Sequence, residues 1–213
     1  MALDIYPYPG SSTILIPERA ELIDDIRITW STPHPECGGR MLADIAAQWG
    51  CDRAEAARRL CPAGAIYFAM DEAEVHRIFQ HERCMVGSDG LPNDAHPHPR
   101  LWGSFTRVLG RYVREAELLT LEAAVAKMTA LPARVFGLAD RGRLAVGAWA
   151  DVVVFDADTV QDRATWDAPT LASTGIEHVL VNGCPVFPAL AGAQRPGRIL
   201  RREPVATDSD FSQ

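Results

Sequence analysis

The 213-residue sequence contains no CxxC pair, no apolar run long enough to cross a membrane, and no basic stretch interleaved with aromatics. Each gap excludes something. The five cysteines, Cys37, Cys51, Cys61, Cys84 and Cys184, are odd in number and too widely spaced for a disulfide framework or a structural zinc cluster. They read as reduced, mostly buried thiols of a cytoplasmic protein. A membrane-spanning helix needs about 20 consecutive apolar residues, and no secretory leader is expected. A net charge of −7 suits neither nucleic acid nor an anionic lipid surface. A capped or polar start is missing too. Ala2–Tyr6 reads as a strand directly after the initiator methionine, as in a sequence that starts midway.

What is present is ordinary soluble-protein material, 47% hydrophobic and 23% charged, enough for one large domain or two small ones. Ala2–Tyr8 is expected to be a strand, followed by a turn at Pro9-Gly10-Ser11-Ser12. Ala20–Trp30 fits a helix or a strand. Met41, Leu42, Ile45, Ala46 and Trp49 recur at helical spacing. Asp52 caps a helix from Arg53 to Leu60, with Glu55 placed to complete a capping box. Ala65–Ala69 and Met85–Gly87 are expected strands, and Asp71 caps a helix over Glu72–Gln80. Further helices are expected over Leu101–Ala116, over Leu121–Thr129 after Thr120, and over Pro132–Phe136. From Leu138 the chain turns glycine-punctuated and β-branched, and Asn182-Gly183 between two apolar runs is a strong hairpin signal. The tail from Arg201 onward is polar and is expected to be mobile. The order of elements predicts an α/β unit followed by a small β unit.

The chemistry concentrates in Cys84–Arg100, CMVGSDGLPNDAHPHPR. Asp89 follows an apolar strand and precedes glycine. A carboxylate there is placed to move protons at the mouth of an α/β fold, although Ser-Asp-Gly is also good turn chemistry. His96 and His98 form an HxH pair that would suit a metal if it lay on a strand. The proline after each histidine argues instead for a loop whose imidazoles bond backbone. Arg100 has the planar fork that matches a carboxylate, and a surface ion pair is the alternative. Tyr6 and Tyr8 flank Pro7 at a strand end. His34, between prolines, reads as structural; His76, His81 and His178 read as surface residues; and Cys84 reads as core.

Two groups of residues together resemble a known family. Gly142-Arg143-Leu144, Gly147, Ala150-Asp151-Val152-Val153-Val154-Phe155-Asp156 and Val181-Asn182-Gly183 resemble the C-terminal signature of the metal-dependent amidohydrolase superfamily. Asp4-Ile5-Tyr6-Pro7-Tyr8, Trp30 to Pro35, and Gly87 to Gly103 resemble the D-aminoacylases, which are N-acyl-D-amino-acid deacylases. The resemblance extends to about Arg202. It implies the C-terminal part of a (β/α)8 barrel over residues 1–137, a small β-sandwich segment over 138–202, and a flexible tail over 203–213. It implies that Asp89 is the general acid/base beside the family's zinc and that Arg100 binds the substrate α-carboxylate. Tyr6 and Ser12 would contact substrate, and Met70 would lie at the side-chain pocket.

The resemblance is partial. The family's metal-binding histidines and cysteine precede the tyrosine-proline-tyrosine stretch, and no residue here matches them. His96 and His98 belong to the loop after Asp89 and do not replace them. Zinc is therefore expected in the full-length family and not on this chain alone, which is expected to be inactive and poorly stable. The expected partners are a small N-acyl amino acid and an N-terminal barrel half on a separate chain. The alternatives are a non-catalytic remnant and a module that only binds.

Overall fold

The computed structural model describes residues 2–188 and 195–201. The polar tail from residue 202 lies outside them. Eight strands are described, in three sheets. Strand β1 (Leu3–Ile5) pairs in parallel with β5 (Cys84–Val86). Strand β2 (Ser11–Ile14) and β3 (Ile26–Ser31) both run antiparallel to β4 (Ala63–Tyr67), which lies between them. Strands β6 (Val152–Phe155), β7 (Ile176–Val181) and β8 (Cys184–Phe187) form an antiparallel meander.

The helices follow their caps. The side chain of Asp52 accepts from the Glu55 backbone N–H at the start of α2 (Arg53–Leu60), and Asp71 accepts from Ala73 and Glu74 ahead of α3 (Glu72–Gln80). Thr120 does the same for α5 (Leu121–Met128). The capping box at α2 is only half formed. The Glu55 carboxylate turns along the helix to Arg58 and Arg59, at 3.1 and 2.9 Å, where two cations outbid one backbone N–H. Helix α1 (Leu42–Trp49) ends at Gly50, and α6 (Ala130–Phe136) ends at Gly137; both glycines are left-handed, the usual stop for a helix.

Three expectations need correcting. The strand over Ala2–Tyr8 is only Leu3–Ile5, and the turn predicted over Pro9–Ser12 gives way to β2 at Ser11, which pairs with Tyr67. The helix over Leu101–Ala116 is an α-helix, α4 (Arg100–Arg107), that widens into a π-helix over Val108–Glu115. The unassigned Ala20–Trp30 resolves into a 3-10 turn at Pro17–Glu21 and then β3. The hairpin stands: Asn182 and Gly183 both take positive φ, 48° and 79°, between β7 and β8.

Two cores result. One packs Ile26, Ile28, Leu42, Ile45 and Leu60 between the β2–β4–β3 sheet and α1 and α2. The other packs Val75, Phe79, Val108, Tyr112 and Ala124 around β5 and takes in Val160, Phe155 and Ile176 from the C-terminal unit. The segment between β6 and β7 therefore reaches back into the α/β part, close to the loop that holds the candidate site.

Candidate active site

The parallel register of β1 and β5 pairs Ile5 with Val86, so the residues after both strands emerge side by side. Tyr6 leaves one end and Gly87-Ser88-Asp89 the other. Gly87 leaves room for the Asp4 carboxylate: a Cβ there would lie 2.3 Å from its oxygen and would push that side chain aside. Asp89 itself holds φ at +44°, a left-handed conformation that costs free energy and is concentrated at functional positions.

Arg100 opens α4 and its side chain is only 2% exposed. Its Nη2 donates to Asp89 Oδ2 at 2.8 Å and approaches the Ser12 carbonyl at 3.4 Å. The guanidinium lies over the Tyr6 ring, 4.6 Å from the centroid, a cation–π contact. Arg100 Nε and Nη1 are buried and have no partner. Unpaired donors on a buried cation are costly, and a carboxylate is the acceptor that fits a guanidinium fork. Asp89, by contrast, is 68% exposed at its side chain, so its carboxylate remains open to solvent and ligand. Burial pushes the Tyr6 phenol up, against the opposing charge of Arg100.

The structure thus brings together Asp89, Arg100, Tyr6 and Ser12. Ser12 contributes its carbonyl to Arg100. Met70 stands apart: its backbone N–H bonds the Pro9 carbonyl, and its side chain packs against the Phe79–Tyr112 core.

The two loop histidines bond backbone carbonyls. His98 Nδ1 accepts from the Arg100 backbone N–H at 3.0 Å, so Nε2 carries the proton and donates to the Gly10 carbonyl at 2.9 Å. His96 Nε2 bonds the Trp166 carbonyl at 2.8 Å. Burial pushes His98 down to about 3, with the Arg100 charge acting in the same direction. The unfolded chain binds that proton below a pH of about 6.5, whereas the folded chain resists it until about 3. Stability from this group is therefore complete above pH 6.5 and falls as pH drops toward 3, by about 1.4 kcal/mol per unit. Urea unfolding between pH 7 and pH 4.5 is expected to show this slope and His98→Gln to flatten it. Equal slopes would contradict it.

The loop histidines and Asp89 are not arranged as zinc ligands. Both ring nitrogens of His98 are committed, His96 is bonded to Trp166, and Asp89 is paired with Arg100. No group of three His, Cys, Asp or Glu able to hold a metal occurs among the described residues. Of the remaining histidines, His34 packs at a tilt against Trp49 and His76 edge-on against Tyr112. The Cys84 thiol is buried beside its own strand and is pushed up by that burial.

Sequence reasoning missed two neighbours of the site. Asp94, in the same loop, is half-buried, and burial pushes its carboxyl up against the pull of Thr29 and Arg100. Its one sequence signal was a second acid between Asp89 and Arg100. Trp166 arrives from the β6–β7 segment, and no local pattern announces it. A separate cleft of about 400 Å³ lies between the π-helix, α5 and β6, lined by Leu109, Val125, Met128, Leu144 and Val153. None of the site residues faces it.

An amidohydrolase-family sequence profile matches residues 52–187. The chain belongs to the amidohydrolase family. This amidohydrolase is 86% identical over its whole length to an N-acyl-D-glutamate deacylase of Alcaligenes xylosoxydans xylosoxydans, of which it covers 44%. It is 51% identical to a D-aminoacylase of the same organism, with 95% of this chain aligned to 42% of that one. Among solved structures it superposes with a TM-score of 0.92, at 80% identity, on the N-acyl-D-glutamate deacylase of Bordetella bronchiseptica. That structure holds zinc and a phosphonate mimic of the tetrahedral intermediate; the match covers 94% of this chain and 42% of that one. The amidohydrolase chain spans less than half the length of these relatives.

Proposed function

We propose that this chain carries the proton-transfer and carboxylate-binding part of an N-acyl-D-amino-acid deacylase, a hydrolase acting on carbon–nitrogen bonds other than peptide bonds. N-acyl-D-glutamate is the favoured substrate because of the 86% identity to an N-acyl-D-glutamate deacylase. The observation that carries the reading is the Arg100 guanidinium, buried beneath Tyr6, paired to an exposed Asp89, and left with two unpartnered nitrogens, Nε and Nη1.

In this reading Arg100 takes the substrate α-carboxylate, and Tyr6 and Ser12 border it. Asp89 accepts the proton of the attacking water and delivers it to the departing nitrogen. The C–N bond breaks, leaving a free carboxylate and a free amino acid. Met70 is assigned to the side-chain pocket by the resemblance to D-aminoacylases alone, since its side chain packs against the Phe79–Tyr112 core. Residues 1–137 are the C-terminal portion of a (β/α)8 barrel, residues 138–202 belong to a β-sandwich, and the protein works in the cytoplasm.

The metal ligands come from the part of the relatives' length that this chain does not cover. The parallel β1–β5 pair supports this, since parallel sheets are normally covered on both faces and extended at both edges. Val153 and Val154, on an all-apolar strand, and Leu144 and Val146 ahead of it are exposed, as befits a surface meant to be covered.

A second reading, a module that binds N-acyl amino acids without hydrolysing them, is favoured by the commitment of His96 and His98 to backbone carbonyls. Both readings require a carboxylate site. Calorimetric titration of the chain with N-acetyl-D-glutamate is expected to show binding, lost when the α-carboxylate is replaced by its carboxamide. No binding, or equal binding of the carboxamide, would sink the proposed role of Arg100.

A further inference from the structure

We propose that Trp166 is a positioning residue for the carboxylate site, acting on Arg100 through His98; the proposal rests on the reading of Arg100 given above. Trp166 lies in the irregular segment between β6 and β7, far from Asp89 in sequence, yet it forms the outer wall of the loop that carries Arg100. Its carbonyl accepts from His96 Nε2 at 2.8 Å and from Arg27 Nη1 at 2.6 Å. Its indole packs edge-on against His98, with ring centroids 4.8 Å apart, and against Phe68 at 4.8 Å and Tyr8 at 5.7 Å. Gly10 completes the enclosure, since a Cβ there would lie 3.1 Å from the indole.

From His98 the connection to the site is direct. One imidazole nitrogen holds the Arg100 backbone N–H and the other holds the Gly10 carbonyl, two residues before Ser12. Arg100 in turn holds Asp89. The ring of His98 can turn only if the indole yields, because the imidazole is otherwise enclosed by Tyr6, Tyr8 and Trp166. A second anchor keeps the segment in place. Asp162 pairs with Arg107 at 3.2 Å, and Arg107 bonds the Pro7 carbonyl at 2.8 Å and lies over the Tyr8 ring. The C-terminal unit thus grips both the Tyr6-Pro7-Tyr8 stretch and the His96–Arg100 loop. A positioned guanidinium needs such support, since outer residues that orient a functional group typically change its affinity about tenfold or more.

The test compares Trp166→Leu, which keeps apolar volume but removes the ring edge, with Trp166→Phe, which restores an aromatic edge. Three readouts are taken on the full chain: the ¹⁵N signals of the His98 ring, the protection of the Arg100 Nε–H, and N-acetyl-D-glutamate affinity. Trp166→Leu is expected to move His98 away from its Nε2–H tautomer, expose the Arg100 Nε–H to exchange, and weaken the ligand about tenfold. Trp166→Phe is expected to recover all three. An unchanged His98 and Arg100 spectrum in Trp166→Leu would overturn the proposal, as would altered spectra with unaltered affinity. If the wild-type chain binds no N-acetyl-D-glutamate, the carboxylate reading fails on its own, and the two spectra still decide whether Trp166 positions Arg100.

Discussion

Replacing Arg100 with methionine is expected to abolish measurable binding of N-acetyl-D-glutamate while leaving the fold intact or slightly more stable. Two charge-assisted hydrogen bonds to a carboxylate are worth about 1.5–3 kcal/mol each. Their loss weakens binding by roughly a hundredfold or more, at about 1.4 kcal/mol per factor of ten. The stability expectation has the opposite sign. Arg100 is held in a dry site with Nε and Nη1 unpaired, and that desolvation is a cost the folded chain carries without ligand. Methionine fills a similar volume and has no donors to strand. Calorimetry for binding and urea unfolding for stability check the two halves separately. A variant that loses stability by several kcal/mol would show that Arg100 is chiefly a structural ion pair with Asp89.

Asp89→Asn separates chemistry from binding in the same way. Asparagine retains the side-chain carbonyl that faces Arg100 but neither accepts a proton from water nor delivers one to nitrogen. General acid–base catalysis by a placed group is worth about 10²–10⁴-fold, so kcat of the chain reassembled with the N-terminal part of a relative is expected to fall by that order, with KM little changed. Binding by the chain alone moves the other way. Asp89 competes with a ligand carboxylate for the same guanidinium, at 2.8 Å, and neutralising it removes the competitor. Steady-state kinetics on the reassembled enzyme and calorimetry on the chain are expected to diverge. A parallel loss in both would mean that Asp89 only holds Arg100.

The parts of the fold that could be read from the sequence are those that local chemistry specifies. Asp52, Asp71 and Thr120 announced their helices because an N-cap acts within three residues. Asn182-Gly183 announced its hairpin because positive φ at both positions restricts which residues fit. Strand β3 was illegible for a physical reason. The pairing slips between Ile28 and Trp30, and the irregularity leaves Ile28 and Thr29 both buried. Neither a period of 2 nor one of 3.6 survives that break. The antiparallel sheet of β2, β3 and β4 was missed with it. The π-helix kept an apolar face and so read as ordinary helix.

The site divided along the same line. Asp89 and Arg100 stand in one 17-residue stretch whose strand, glycine and proline context marked it out, and the resemblance to D-aminoacylases attached roles to them. That they pair with each other, and that Arg100 is buried with free donors, follows only from the packing of Tyr6 and Ser12 on top of them. The histidine pair pointed in two directions in the sequence. The structure assigns it to the backbone of Gly10, Arg100 and Trp166. Trp166 was out of reach of any local pattern, because its contacts close a loop across 68 residues to His98.

The central claim is that this chain holds the proton-transfer and carboxylate groups and needs its metal ligands from elsewhere. Hydrolysis of N-acetyl-D-glutamate across a zinc titration tests it most directly, with the chain alone and with the chain mixed with the N-terminal part of the Alcaligenes N-acyl-D-glutamate deacylase. The expected result is no zinc-dependent turnover alone and turnover on mixing that Asp89→Asn suppresses. Zinc-dependent turnover by the chain alone would contradict the claim and return His96 and His98 to the list of ligands.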